Sequence, residues 1–221
     1  MNDLFSMDGK INTFLNRFFD VFYVFVLTCL CSVPIVTMGA ALTAQSYTNM
    51  KIVKGYQISV RKTYFKSFGQ NLKQAVALWL PLLFIMASLV LEIGIWLKER
   101  DSTGLVIVII LFVLETICMM LSLFGFSVLS RFTIGYRQWL RVAIQIMLTN
   151  LSKGGIAIIC IVALPVLIYM APQWLVLWLL IPIIFSYYWA KWMIPILKKY
   201  EPKGYVDPEL EFIEEEEEEG E

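Results

Sequence analysis

The chain alternates between long apolar runs and short polar stretches. Apolar runs cover about 18–44, 75–97, 105–129, 156–170 and 174–194. Four of them reach the ~18–20 residues that a helix needs to cross hydrocarbon, and the shorter fourth holds Pro165. This pattern predicts an all-α polytopic membrane protein with about five transmembrane helices. At 1.5 Å per residue the first run would be about 40 Å long, more than a ~30 Å hydrocarbon core. It is therefore expected to bend at Pro34, with Thr37 and Ser32 re-satisfying the carbonyls that the proline frees. Just beyond lie Gly39 with Thr43 and Ala40 with Ala44, small residues four apart that let another helix approach closely. Pro34, Thr37, Gly39, Ala40, Thr43 and Ala44 are thus expected to shape a contact helix around which the other spans assemble.

The polar stretches carry their own periodicity. Residues 1–17 read as a short interfacial helix, either separate from the first span or continuous with it. Residues 45–74 form a loop with six basic residues, in which Phe65, Phe68 and Leu72 share a helical face beside Lys62, Lys66 and Lys73. In the second long loop, 130–155, Tyr136, Trp139, Leu140, Ala143 and Met147 share a face flanked by Arg137 and Arg141. Both segments look like helices lying among headgroups. They make Phe65, Phe68, Asn71, Trp139 and Arg141 candidates for a cytosolic interface. The similar openings Asn71-Leu72-Lys73 and Asn150-Leu151-Ser152 hint at a weak internal repeat.

Charge orients the spans. With five crossings, fourteen of the 18 Lys and Arg fall in the two long loops and the C-terminal segment. The positive-inside rule then puts the N-terminus outside and the C-terminus in the cytoplasm. Ten of the 18 acids follow Lys203. The organisation expected is one integral-membrane domain, 1–200, and an acidic cytosolic tail, 201–221. No small-residue cleavage site follows a short apolar core, so the first span is expected to remain as its own insertion signal.

Composition narrows the chemistry. The chain is 59% hydrophobic, 16% charged and has no histidine, which removes the commonest general base and metal ligand. Cys29, Cys31, Cys118 and Cys160 all lie within spans and read as small packing residues. For glycoside hydrolysis the body outside the membrane offers only Glu99 and Asp101 in residues 98–104, and no phosphate-binding loop or metal-ligand cluster appears. No enzyme and no cofactor is therefore expected. The basic loops follow from membrane orientation and attraction to anionic lipid, so no nucleic-acid partner is implied. Glu115, near the middle of the third span, and Glu92, near the end of the second, are the intramembrane polar candidates.

The run Ser32-Val33-Pro34-Ile35-Val36-Thr37-Met38-Gly39-Ala40-Ala41-Leu42-Thr43-Ala44, followed by Phe65-Lys66-Ser67-Phe68-Gly69-Gln70-Asn71-Leu72-Lys73-Gln74-Ala75, resembles the YesL family of bacterial membrane proteins with a domain of unknown function. The two blocks stand in the family's order and spacing. Phe25 departs from it, where many members carry an asparagine. The resemblance implies a link to carbohydrate-utilisation loci. With the contact helix, it leads to the expectation of a non-enzymatic accessory or regulatory partner of a carbohydrate ABC importer, held in the bilayer against that transporter's permease. The alternative expectation is a small homo-oligomeric permease or flippase-like carrier with Glu115 in its path.

Overall fold

A computed structural model of the chain describes residues 10–98, 102–132, 134–174 and 178–201. Among these residues the elements are α1 (Lys10–Cys31), a 3-10 turn (Ile35–Thr37), α2 (Met38–Lys54), α3 (Val60–Trp96), α4 (Ser102–Leu129), α5 (Tyr136–Thr149), α6 (Leu151–Met170), a second 3-10 turn (Pro172–Trp174) and α7 (Leu180–Lys198). The fold is all-α, as the apolar runs require. Within the described residues α3, α4, α6 and α7 are long and apolar enough to cross a membrane. Residues 1–9 and all of the acidic tail beyond Glu201 lie outside the described residues.

The first apolar run is not one bent span. It is two helices folded against each other, α1 and α2, with the reversal at Ser32–Thr37. Pro34 holds an extended backbone, φ −75° and ψ 108°, and has no N–H to continue the α1 ladder. Thr37 repairs the break: its hydroxyl lies 2.6 Å from the Cys31 carbonyl and 2.8 Å from that of Pro34. From there α2 runs back beside α1 to Gly55. At that glycine φ is +85°, and Tyr56 N–H donates to the Lys51 carbonyl at 3.3 Å, a left-handed helix stop that a side chain would strain. A Cβ at Gly55 would lie 3.0 Å from the Arg17 guanidinium, so the start of α1 and the end of α2 share one end of the molecule.

Residues 45–74 are likewise not a loop. Residues 45–54 are the second half of α2, and 60–74 are the first half of α3. The segment expected to lie among headgroups, Tyr64–Lys73, instead continues without interruption into the apolar run 75–97. α3 is thus 37 residues, about 55 Å, long. Its midpoint is pinned to the hairpin tip, where Trp79 Nε1 donates to the Ile35 carbonyl at 2.7 Å. Leu80–Trp96 then continues about 25 Å further, with α4 returning alongside. The α1–α2 hairpin therefore reaches only part-way along α3.

The remaining helices close around α2. Phe126 of α4 meets Trp79 edge-on, with centroids 5.8 Å apart. α5 is amphipathic as expected, with Trp139, Ala143, Ile146 and Met147 buried. α6 starts at Leu151 and sets Gly154 against Met120 and Phe124 of α4. Trp189 of α7 packs on Phe124, with centroids 5.0 Å apart. An Arg131–Glu201 ion pair at 2.8 Å ties the end of α4 to the segment after α7.

Candidate functional site

Every small residue of the expected contact stripe faces the protein's own helices. Ala40, Thr43 and Ala44 are fully buried. A Cβ on Gly39 would lie 2.8 Å from Trp79 Cβ and 2.9 Å from Phe126 Cε1, so only glycine lets α2 sit this close to α3 and α4. Thr43 donates to the Gly39 carbonyl and Thr48 to that of Ala44, both at 2.8 Å. Each hydroxyl is satisfied within its own helix, which allows a polar helix to be buried. The helices packed on α2 are α1, α3, α4 and α7.

The other face of α2 is polar and inward. Ser46 Oγ lies 3.4 Å from Ser127 Oγ of α4, and Ser127 Oγ accepts from Trp189 Nε1 of α7 at 3.0 Å. This Ser46–Ser127–Trp189 chain crosses three helices at the centre of the bundle. One turn on, Asn49 is 1% exposed and its Oδ1 has no hydrogen-bond partner. Lys51, also 1% exposed, holds its ammonium 5.1 Å from the centroid of the Tyr47 ring. Beside these groups a cavity of about 450 Å³ opens between the α1–α2 hairpin and α3, α4, α6 and α7. Gln45, Ser46 and Asn49 line one side, with Ser122 and Ser186 opposite, and aromatic rings form much of the wall. No Asp, Glu, Lys or Arg lines it.

The expected cytosolic-interface residues do not form one surface. Phe65 is exposed, and Phe68 is half-buried and stacked 6.4 Å from Tyr64. Asn71 is occupied locally, its Nδ2 donating to the Ser67 carbonyl at 2.9 Å. Trp139 is a core residue rather than an interface one. It is 1% exposed, donates to the Gly125 carbonyl at 2.8 Å, and fills the space that a side chain on Gly125 would need. Arg141 is exposed on the outer face of α5. Glu115 is half-buried on α4 with Oε2 unpartnered, it does not line the cavity, and Glu92 is exposed near the far end of α3. Among the described residues no three His, Cys, Asp or Glu side chains gather as a metal site.

Ser46, Asn49, Ser127 and Trp189 were not singled out in the sequence. The available signal was a serine set deep in the apolar α4 run and a polar stretch, Gln45–Asn49, immediately after a small-residue helix.

Comparison with known proteins places one part of the chain. Residues 18–93 match a family described as "Protein of unknown function, DUF624". That region takes in most of α1, all of α2 and α3 as far as Ile93, so the match covers the hairpin and the helix pinned to its tip. No curated protein and no solved structure matches the chain.

Proposed function

We propose that the protein is a non-enzymatic accessory or regulatory subunit of another membrane protein. A carbohydrate ABC-importer permease is the partner that its YesL-like blocks suggest. The observation that carries this reading is the α3–α4 pair beyond the hairpin tip. There the two helices pack mainly on each other. Phe84 and Leu91 on α3 and Leu105 on α4 are 76%, 70% and 64% exposed. Glu115, within the same apolar length of α4, has a buried carboxyl oxygen without a donor. An intramembrane carboxyl of this kind is a default mark of function, and a second protein's helix laid against the pair would supply the apolar cover that the exposed side chains lack.

The runner-up, an oligomeric permease or flippase-like carrier with Glu115 in its path, draws on the central cavity. Its support is weaker, because Glu115 does not line that cavity.

The hairpin also revises the proposed orientation. With α1 and α2 entering and leaving on one side, the start of α1 and the end of α7 would share the side of the long basic segments. Sixteen of the 18 Lys and Arg then share that side, the exceptions being Lys98 and Arg100 between α3 and α4. This split is sharper than the fourteen obtained with the N-terminus outside, and it favours a cytoplasmic start of α1 and end of α7.

Photo-crosslinking in native membranes tests the accessory reading. A crosslinking residue at Leu91 or Leu105 should give an adduct with a transporter permease, whereas one at Arg141 should not. Adducts with lipid and with the protein's own copies alone would overturn the reading in favour of the carrier.

A further inference from the structure

We infer that the central cavity binds an uncharged single-chain lipid whose hydroxyl headgroup donates a hydrogen bond to Asn49 Oδ1. The inference stands on different observations from the accessory role. Asn49 is 1% exposed and is one of the residues lining the cavity, and its Oδ1 is buried with no hydrogen-bond partner. Buried polar groups in native proteins are almost always satisfied, so an orphan acceptor on a cavity-lining side chain marks the place of a missing donor. Three of the hydroxyls around the cavity are committed to their own helices. Thr28 donates to the Val24 carbonyl at 2.8 Å, Ser122 lies 2.9 Å from that of Met119, and Ser186 donates to that of Ile183 at 2.8 Å.

The lining then selects the ligand class. No charged side chain faces the cavity, so an ionised headgroup would be buried without a counter-charge. Phe25, Trp79, Phe126, Phe185 and Trp189 provide an apolar, aromatic wall suited to a hydrocarbon body. A free sugar does not suit this lining, since its many hydroxyls would meet mainly apolar wall. A volume of about 450 Å³ is that of a small-ligand site, of the kind found between the helices of bundles. The cavity runs from the hairpin tip along α2 as far as Asn49 and is bordered by α3, α4, α6 and α7, each long and apolar enough to span the bilayer. A lipid-soluble ligand therefore has the bilayer as its source.

Native mass spectrometry of the full chain tests this in an amine-oxide detergent, which carries no competing hydroxyl. Titrations would use monoolein, methyl oleate and oleate. The same length of hydrocarbon is thus offered with a hydroxyl donor, with no donor, and with a charge. One monoolein per chain is expected, bound about tenfold or more tighter than methyl oleate, the factor that one satisfied buried acceptor supplies, and tighter than oleate. In Asn49→Leu, monoolein should fall to the level of methyl oleate while methyl oleate is unchanged, a pattern that general loss of structure would not give. Equal binding of monoolein and methyl oleate to the unaltered chain would overturn the inference. So would tighter binding of oleate, or the absence of saturable binding, which would mean that water satisfies Asn49. The ligand series on the unaltered chain decides the matter even where the variant fails to fold.

Discussion

Gly39 is where the packing of this bundle can be tested most sharply. Replacing it with alanine adds one methyl group on the inner face of α2. In an isolated helix the change would be favourable by about 0.5–1 kcal/mol, because glycine loses more backbone freedom on folding. Here the new Cβ would lie 2.8 Å from Trp79 Cβ and 2.9 Å from Phe126 Cε1. Trp79 Cβ is fixed to its helix backbone and cannot rotate away, and the indole is held by its bond to Ile35. Overpacking of this kind costs about 1–3 kcal/mol, and the rigid neighbour puts Gly39 in the upper part of that range. The expected net loss is therefore about 1–2 kcal/mol for Gly39→Ala, with Gly39→Leu failing to give a monodisperse protein. Gly69→Ala is the control. Nothing lies within 4 Å of its Cβ position, so the helix-propensity gain stands alone and stability should rise by up to ~1 kcal/mol. Thermal unfolding of the purified variants in mild detergent, followed by size-exclusion chromatography, reads the two in opposite directions. A Gly39→Ala protein as stable as the parent would refute the claim that the α2 stripe is packed inside the chain.

Three further outcomes follow from the same contacts. Ser127→Ala removes the acceptor of Trp189 Nε1 in the centre of the bundle and should destabilise by about 1–3 kcal/mol in the same unfolding assay. Trp139→Ala empties the space over Gly125 and should cost about 3–5 kcal/mol, whereas Arg141→Ala on the exposed face of α5 should change stability by less than ~0.5 kcal/mol. Glu201→Gln breaks the ion pair to Arg131, whose side chain is 8% exposed, and should lower the unfolding temperature and increase proteolysis of the C-terminal segment.

The spans were legible because apolar runs in α3, α4, α6 and α7 are long, and the amphipathic face of α5 was legible because its apolar positions recur at helical spacing. The break at Pro34 and its repair by Thr37 were also readable, since a proline in an apolar run frees carbonyls that a nearby hydroxyl can reach. Whether the chain then bends or reverses was not readable. The same proline serves both, and the choice depends on Trp79, 45 residues away, capturing the Ile35 carbonyl. The second half of α2 was hidden for a different reason. Gln45, Ser46, Thr48, Asn49 and Lys51 give it the polarity of a loop, yet Thr48, Asn49 and Lys51 are buried, in a helix where Thr43 and Thr48 bond to their own backbone and Ser46 meets Ser127. Helices satisfied in this way show neither an apolar run nor a clean amphipathic period. The candidate site, built on that half of α2, was hidden with it.

The reversal at Pro34 decides the topology, the packing of α2 and the position of the cavity, so it is the claim to test first. Single cysteines at Thr13 and Gln57, in a background with Cys29, Cys31, Cys118 and Cys160 replaced by serine or alanine, can be labelled from either side of sealed membrane vesicles with an impermeant maleimide. Both sites are expected to react from the same, cytoplasmic side, together with a cysteine placed at Lys199. Labelling of Thr13→Cys from the opposite side to Gln57→Cys would show a single crossing helix in place of the hairpin and would contradict the account.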